Sequence, residues 1–159
     1  MELEAAYGGE VAKRPTPIIR DVDTLLRNGI DLIERNRFEQ AASLLSQAAG
    51  LQPDSTMIHL ALGIALGRLL RIPEATAALE RAAELDPGGF YPRYRLGELY
   101  LRIGVPIRAR EELQRAMDLS TDSEQRKLVR ELLALDAKRE AKRAWRPDFS
   151  RLRKERKPE

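Results

Sequence analysis

Cysteine is absent from the 159 residues. That removes disulfides, thiolate metal sites and cysteine nucleophiles. A single histidine, His59, is present. One imidazole without thiolate partners does not make a metal site, and it is the only base available to any serine. Aromatics amount to 5% of the chain. No apolar run approaches the roughly 20 residues needed to span a bilayer, and no apolar stretch follows a basic start at the N-terminus. No transmembrane segment is expected, and a cytoplasmic location is. The glycines follow neither the phosphate-loop spacing nor the dinucleotide fingerprint. Alternating β-branched runs are missing as well, so there is no strand pattern. These absences argue against an enzyme and against a metal or organic cofactor.

Helix formers fill the space that remains. Ala, Leu, Arg and Glu dominate between Asp21 and Arg143, and these residues lose little on entering a helix. The formal net charge of +3 conceals an asymmetry. From Lys138 to Glu159 there are ten Lys/Arg and four Asp/Glu, whereas the rest of the chain holds 18 basic and 21 acidic residues. A mildly acidic body carries a basic tail. Carboxylate pairs such as Glu111-Glu112 and Asp122 with Glu124 read as a solvated face and a helix start.

A fixed period organises the body. Gly29, Gly63 and Gly97 lie 34 residues apart, as do Ala41, Ala75 and Ala109. Leu45, Leu79 and Leu113 keep the same step, followed by Ala48, Ala82 and Ala116, then Leu51, Leu85 and Leu119. Leu32, Leu66 and Tyr100 keep a further position apolar, and Pro53 and Pro87 mark the unit boundaries. Each unit reads as two helices that cannot bury their apolar faces alone and must stack on neighbours. Small residues let helices approach closely, and leucines fill the space between them. Proline ends the second helix because it cannot continue the hydrogen-bond ladder. Pro73, Pro92 and Pro106 stand early in their helices, where first-turn N–H groups are unpaired anyway.

This pattern resembles the tetratricopeptide repeat. The units read Asn28-Gly29, Leu32, Ala41, Leu45, Ala48, Pro53; then Leu62-Gly63, Leu66, Ala75, Leu79, Ala82, Pro87; then Leu96-Gly97, Tyr100, Ala109, Leu113, Ala116. The early Trp of the family is replaced by Leu25, His59 and Arg93; His59 is read as packing between repeats. The resemblance implies an all-α, right-handed superhelical stack of helix-turn-helix units. Helices are expected near 24–35, 38–51, 57–69, 73–85, 91–103, 106–119 and 122–144. The repeats span about 22–55, 56–89 and 90–123 within a domain of residues 21–145. Residues 1–20 read as a flexible segment, with Gly8-Gly9, Pro15 and Pro17 and no helical period. Residues 146–159 form the basic tail.

The resemblance also implies a place for a partner, because the first helix of each unit lines a concave groove. Leu26, Ile30, Ile33, Met57, Leu60 and Ile64 would form a contiguous apolar patch there, continued by Tyr91, Tyr94, Arg95 and Glu98 in the third repeat. A patch of that size is expected to be covered, by an apolar or amphipathic partner segment, by the chain's own termini or by a second copy. The version of the repeat that grips the acidic C-terminal peptides of heat-shock chaperones is not implied. Its Lys and Asn positions hold Leu26, Ile30, Ala61 and Tyr91 here, and only Arg95 matches.

The last helix is expected to cap the stack. Thr121 and Glu124 suggest a capping box, followed by Leu128, Val129, Leu132, Leu133 and Leu135 on one face. Beyond it, Lys142, Arg143, Arg146, Arg151, Arg153 and Lys154 offer contacts to phosphates or to an acidic partner. Trp145 and Phe149 among them could stack on bases or enter a membrane surface. The expected role is a non-enzymatic scaffold or adaptor binding another protein. Nucleic-acid or acidic-partner binding through the tail, and homo-oligomerisation, are the alternatives.

Overall fold

The computed structural model describes residues 21–144. They fold into seven helices: α1 (Val22–Glu34), α2 (Phe38–Leu51), α3 (Thr56–Arg68), α4 (Ile72–Leu85), α5 (Phe90–Arg102), α6 (Pro106–Leu119) and α7 (Ser123–Ala144). Every expected helix is present, with ends within two residues of those read from the sequence. The expectations for residues 1–20 and 145–159 lie outside the described residues. Helices α1 to α6 pair as three units, each pair packs on the next, and α7 closes the stack against α5 and α6. The result is an all-α helical repeat solenoid.

Steric fit explains the Gly–Leu pairing within each unit. A Cβ placed on Gly29 would lie 2.7 Å from the Leu45 side chain, on Gly63 2.6 Å from Leu79, and on Gly97 2.5 Å from Leu113. The glycine removes the one atom that would keep the paired helices apart. The three leucines are at most 2% exposed, and Ala41, Ala48, Ala75, Ala82, Ala109 and Ala116 are fully buried. One continuous core runs from Ala41 to Val129, and a smaller cluster of Leu25, Ala48 and Ile58 joins the first two units.

The turn inside each unit is a Schellman motif. In the second unit Leu70 N–H donates to the Gly67 carbonyl (3.2 Å) and Arg71 N–H to the Leu66 carbonyl (3.0 Å). Asn36 and Arg37 repeat this in the first unit, and Gly104 and Val105 in the third. The motif requires a left-handed residue, and Asn36, Leu70 and Gly104 have φ of 58°, 60° and 79°.

Two expectations change in detail. The capping box of α7 is shifted by one residue: the Asp122 carboxylate accepts from Gln125 N–H (2.8 Å), and Gln125 Oε1 accepts from Thr121 N–H (2.8 Å). Asp122 is adjacent to the first helical residue and therefore reaches the open N–H groups. The buried face of α7 is also different. Val129 is fully buried and Leu128, Leu132 and Leu133 pack on the core, but Leu135 is 51% exposed. Asp136 takes the next inward position, at 7% exposure.

Candidate interaction groove

The first helices of the three units form a recessed surface, and its end nearer the turns inside the units is built as follows. Ile33 comes from the last turn of α1, Ile64, Gly67 and Arg68 from α3, and Arg95, Glu98, Leu99 and Arg102 from α5. They enclose a cavity of about 210 Å³. Phe38 and Leu79, from the second helices, contribute to the lining. Gly67 leaves the space open: a Cβ there would meet Leu99 at 3.4 Å.

The two sides of the recess differ in chemistry. Ile33 and Ile64 supply an apolar wall. Opposite it, Glu98 lies between Arg95 (2.7 Å) and Arg102 (3.5 Å). Arg102 also donates to the Gly67 carbonyl at 3.0 Å, and the Arg68 guanidinium sits 5.2 Å from the centre of the Phe38 ring. Three guanidiniums and one carboxylate thus line the recess. This leaves excess positive charge beside an apolar surface.

A second recess, of about 340 Å³, opens at the other end of the same helices. Met57 and Leu60 of α3 face Phe90 and Tyr91 of α5 across it, with Gln125 of α7 at the border. Met57 is 53% and Tyr91 49% exposed.

The structure therefore divides the expected patch. Ile33, Ile64, Arg95 and Glu98 meet in the first recess, and Met57, Leu60 and Tyr91 meet in the second. Leu26 and Ile30 are half-buried and pack on the core without lining either. Tyr94, expected on the groove wall, is only 8% exposed. Its ring stacks on Phe90 with centroids 5.5 Å apart, because Phe90 at the start of α5 turns inward as well. Burial, and then the nearby Glu98 charge, push its phenol above the usual range. Lys142 and Arg143 are exposed on the last turn of α7; Arg146, Arg151, Arg153 and Lys154 lie outside the described residues.

Asn36, Phe38 and Leu99, outside the expected patch, also line the first recess. Phe38 belongs to a second helix, and a rule assigning the groove to first helices omits it. The residues at the early aromatic position also become clear. Leu25 is buried, His59 Nε2 lies 2.9 Å from the Pro53 carbonyl, and Arg93 pairs with Glu112 of α6 at 3.1 Å.

The tetratricopeptide repeat model matches residues 26–90 and 60–124, which together cover more than half of the chain. The chain belongs to the tetratricopeptide repeat family. An Arabidopsis thaliana protein described as an inactive TPR repeat-containing thioredoxin is 32% identical over 91 residues. That stretch is 57% of this chain but 13% of the relative, so the chain spans only a small part of its length. Among solved structures, the Yersinia enterocolitica type III secretion chaperone SycD, in complex with a peptide of the translocator YopD, superposes with a TM-score of 0.68. It is 16% identical, over 75% of this chain and 94% of that one. YrrB, described as a TPR protein with an unusual peptide-binding site, gives a TM-score of 0.63 at 23% identity, over 67% of this chain and 55% of that one. At these identities the likeness is one of tetratricopeptide fold.

Proposed function

We propose that this tetratricopeptide protein is a non-enzymatic scaffold that holds a segment of a partner protein in the recess between α1, α3 and α5. The observation that carries the reading is the cavity itself, open at Gly67, apolar along Ile33 and Ile64, and basic along Arg68, Arg95 and Arg102. A peptide or helix with an apolar anchor next to a carboxylate is complementary to both walls. The complex of SycD with a YopD peptide gives the reading a precedent in the same fold.

The test uses peptides selected from a displayed random library on the full chain. Selected peptides are expected to combine a large apolar residue with an Asp or Glu. Ile64→Glu is expected to weaken them by at least about tenfold, the equivalent of roughly 1.4 kcal/mol. Ile64 is the better probe because Leu60 packs against the core, where a charge would disturb folding. Lys142→Glu with Arg143→Glu is the control for binding through the end of α7. Loss of binding in that control, with Ile64→Glu unaffected and still helical, would transfer the function to the basic end. Self-association across a concentration series by light scattering, abolished by Ile64→Glu, would instead make a second copy the occupant.

A further inference from the structure

The two edges of the solenoid carry opposite charge. The turns between units, with the helix ends beside them, make one edge. Residues 21–26, 52–58, 84–92 and 118–125 hold eight Asp/Glu and no Lys or Arg, and the basic side chains that reach them from α7 are Arg126, bonded to Ser120, and Lys127, paired with Glu124. The turns inside units, with the end of α7, make the other. Residues 34–39, 68–74, 102–108 and 138–143 hold ten Lys/Arg against four Asp/Glu. The end of α7 belongs to this edge because α7 runs back along α6. Arg110, near the start of α6, bonds Asp136 at 2.6 Å and Glu140 at 2.5 Å, so Lys142 and Arg143 lie level with the turns or beyond them.

The basic edge also exposes aliphatic side chains. Leu70 is 67% exposed, Ile107 71%, Ile103 37% and Val105 36%. The Arg102–Gly67 hydrogen bond joins the ends of α5 and α3, and so sets the turn carrying Leu70 beside the turn carrying the other three. Leu70 is unfavourable in two respects. It holds the left-handed conformation that Asn36 and Gly104 adopt in the neighbouring units, which costs a side chain with a Cβ about 1–2 kcal/mol, and it leaves its side chain in water. Gly or Asn would make the same turn at lower cost. A residue that costs the fold at an exposed position points to a function for its side chain.

We propose that this edge docks on an anionic phospholipid bilayer. Leu70, Ile103, Val105 and Ile107 enter the interfacial layer, and the arginines and lysines around them face the lipid phosphates. Branched aliphatic tips distinguish this partner from nucleic acid, which would engage the charge and leave the tips without a role. The acidic edge is repelled by the same surface, so the charge separation sets which side faces the lipid. Attachment is peripheral, because no helix among the described residues is long and apolar enough to cross a membrane. Leu70, Ile103, Val105 and Ile107 line no part of the recess between α1, α3 and α5, although Arg68 and Arg102 border both, so the two readings are tested at different residues.

The experiment is flotation of the full chain with phosphatidylcholine vesicles, with and without phosphatidylserine. Co-flotation with the anionic vesicles alone, decreasing as salt rises, is the expected result. The double variant Leu70→Gly with Ile107→Ser is expected to lower it at least about tenfold, since each lost side chain removes buried apolar area. Glycine suits φ at position 70, so the melting temperature should hold or rise and unfolding would not account for the loss. Failure of the full chain to float overturns the proposal. So does a double variant that floats as well as the parent, which would reduce the attachment to charge alone. Retention of single-stranded RNA by parent and double variant alike, with no competition from vesicles, would make the edge a nucleic-acid surface instead.

Discussion

Gly63 and Gly50 respond in opposite ways to an added methyl group. At Gly63 a Cβ would overlap Leu79, and its position is fixed by Ala75 backbone as well, with the carbonyl 3.3 Å away. Gly63→Ala should therefore destabilise the fold by about 1–3 kcal/mol, the usual cost of overpacking. At Gly50, exposed in α2, a Cβ would meet nothing within 4 Å. Gly50→Ala should stabilise by about 0.5 kcal/mol, through the lower backbone entropy of the unfolded chain. Urea denaturation midpoints that move in the same direction for both variants would contradict this account.

The helices are held by specific end groups as well as by their buried faces. Arg110 is the polar anchor of α7: hydrogen bonds to Glu140 and then Asp136 hold its guanidinium protonated above even its ordinary range. Arg110→Met would leave Asp136 buried without its cation, and the melting temperature should fall. Combining it with Asp136→Leu should recover much of the loss, because removing both partners is milder than leaving the buried carboxylate unpaired. A double variant less stable than the single would refute that reading. At the other end, Asp21 caps α1. The Thr24 hydroxyl, with the N–H groups of Asp23 and Thr24, holds its carboxyl below the usual range. Its folded pKa is thus below its unfolded one, so the cap stabilises above the unfolded value and is lost as pH falls through the folded value. In an NMR titration the Thr24 amide should follow this acid transition, and Asp21→Asn should abolish it.

In a stack of repeats each unit contacts only its neighbours, so damage should remain local. Gly29→Ala is the test, since a Cβ there would meet Leu45. Hydrogen exchange should show lost protection in α1 and α2, while α5 to α7 keep theirs. Uniform loss across all seven helices would indicate a single cooperative unit instead. On the same scale, the acidic edge and the basic edge lie at opposite ends of the paired helices, and the proposed lipid contact uses the basic one alone.

The 34-residue period by itself determined the number, pairing and approximate limits of the six paired helices. It did so because glycine, alanine, leucine and proline at fixed steps satisfy a local packing requirement that recurs in every unit. The close approach at Gly63, the space-filling role of Leu79 and the helix-ending role of Pro53 and Pro87 could be read in that way. Only the tertiary structure decided how the apolar patch is divided. Whether Leu26, Ile30 and Tyr94 reach the surface depends on neighbours distant in sequence, and Phe90 drew Tyr94 inward. The partnership of Arg110 with Asp136 spans 26 residues, and it leaves no periodic trace. The same holds for the charged edges: turns separated by a whole helix pair meet only when the units stack, and the period that builds the stack does not record which residues they carry.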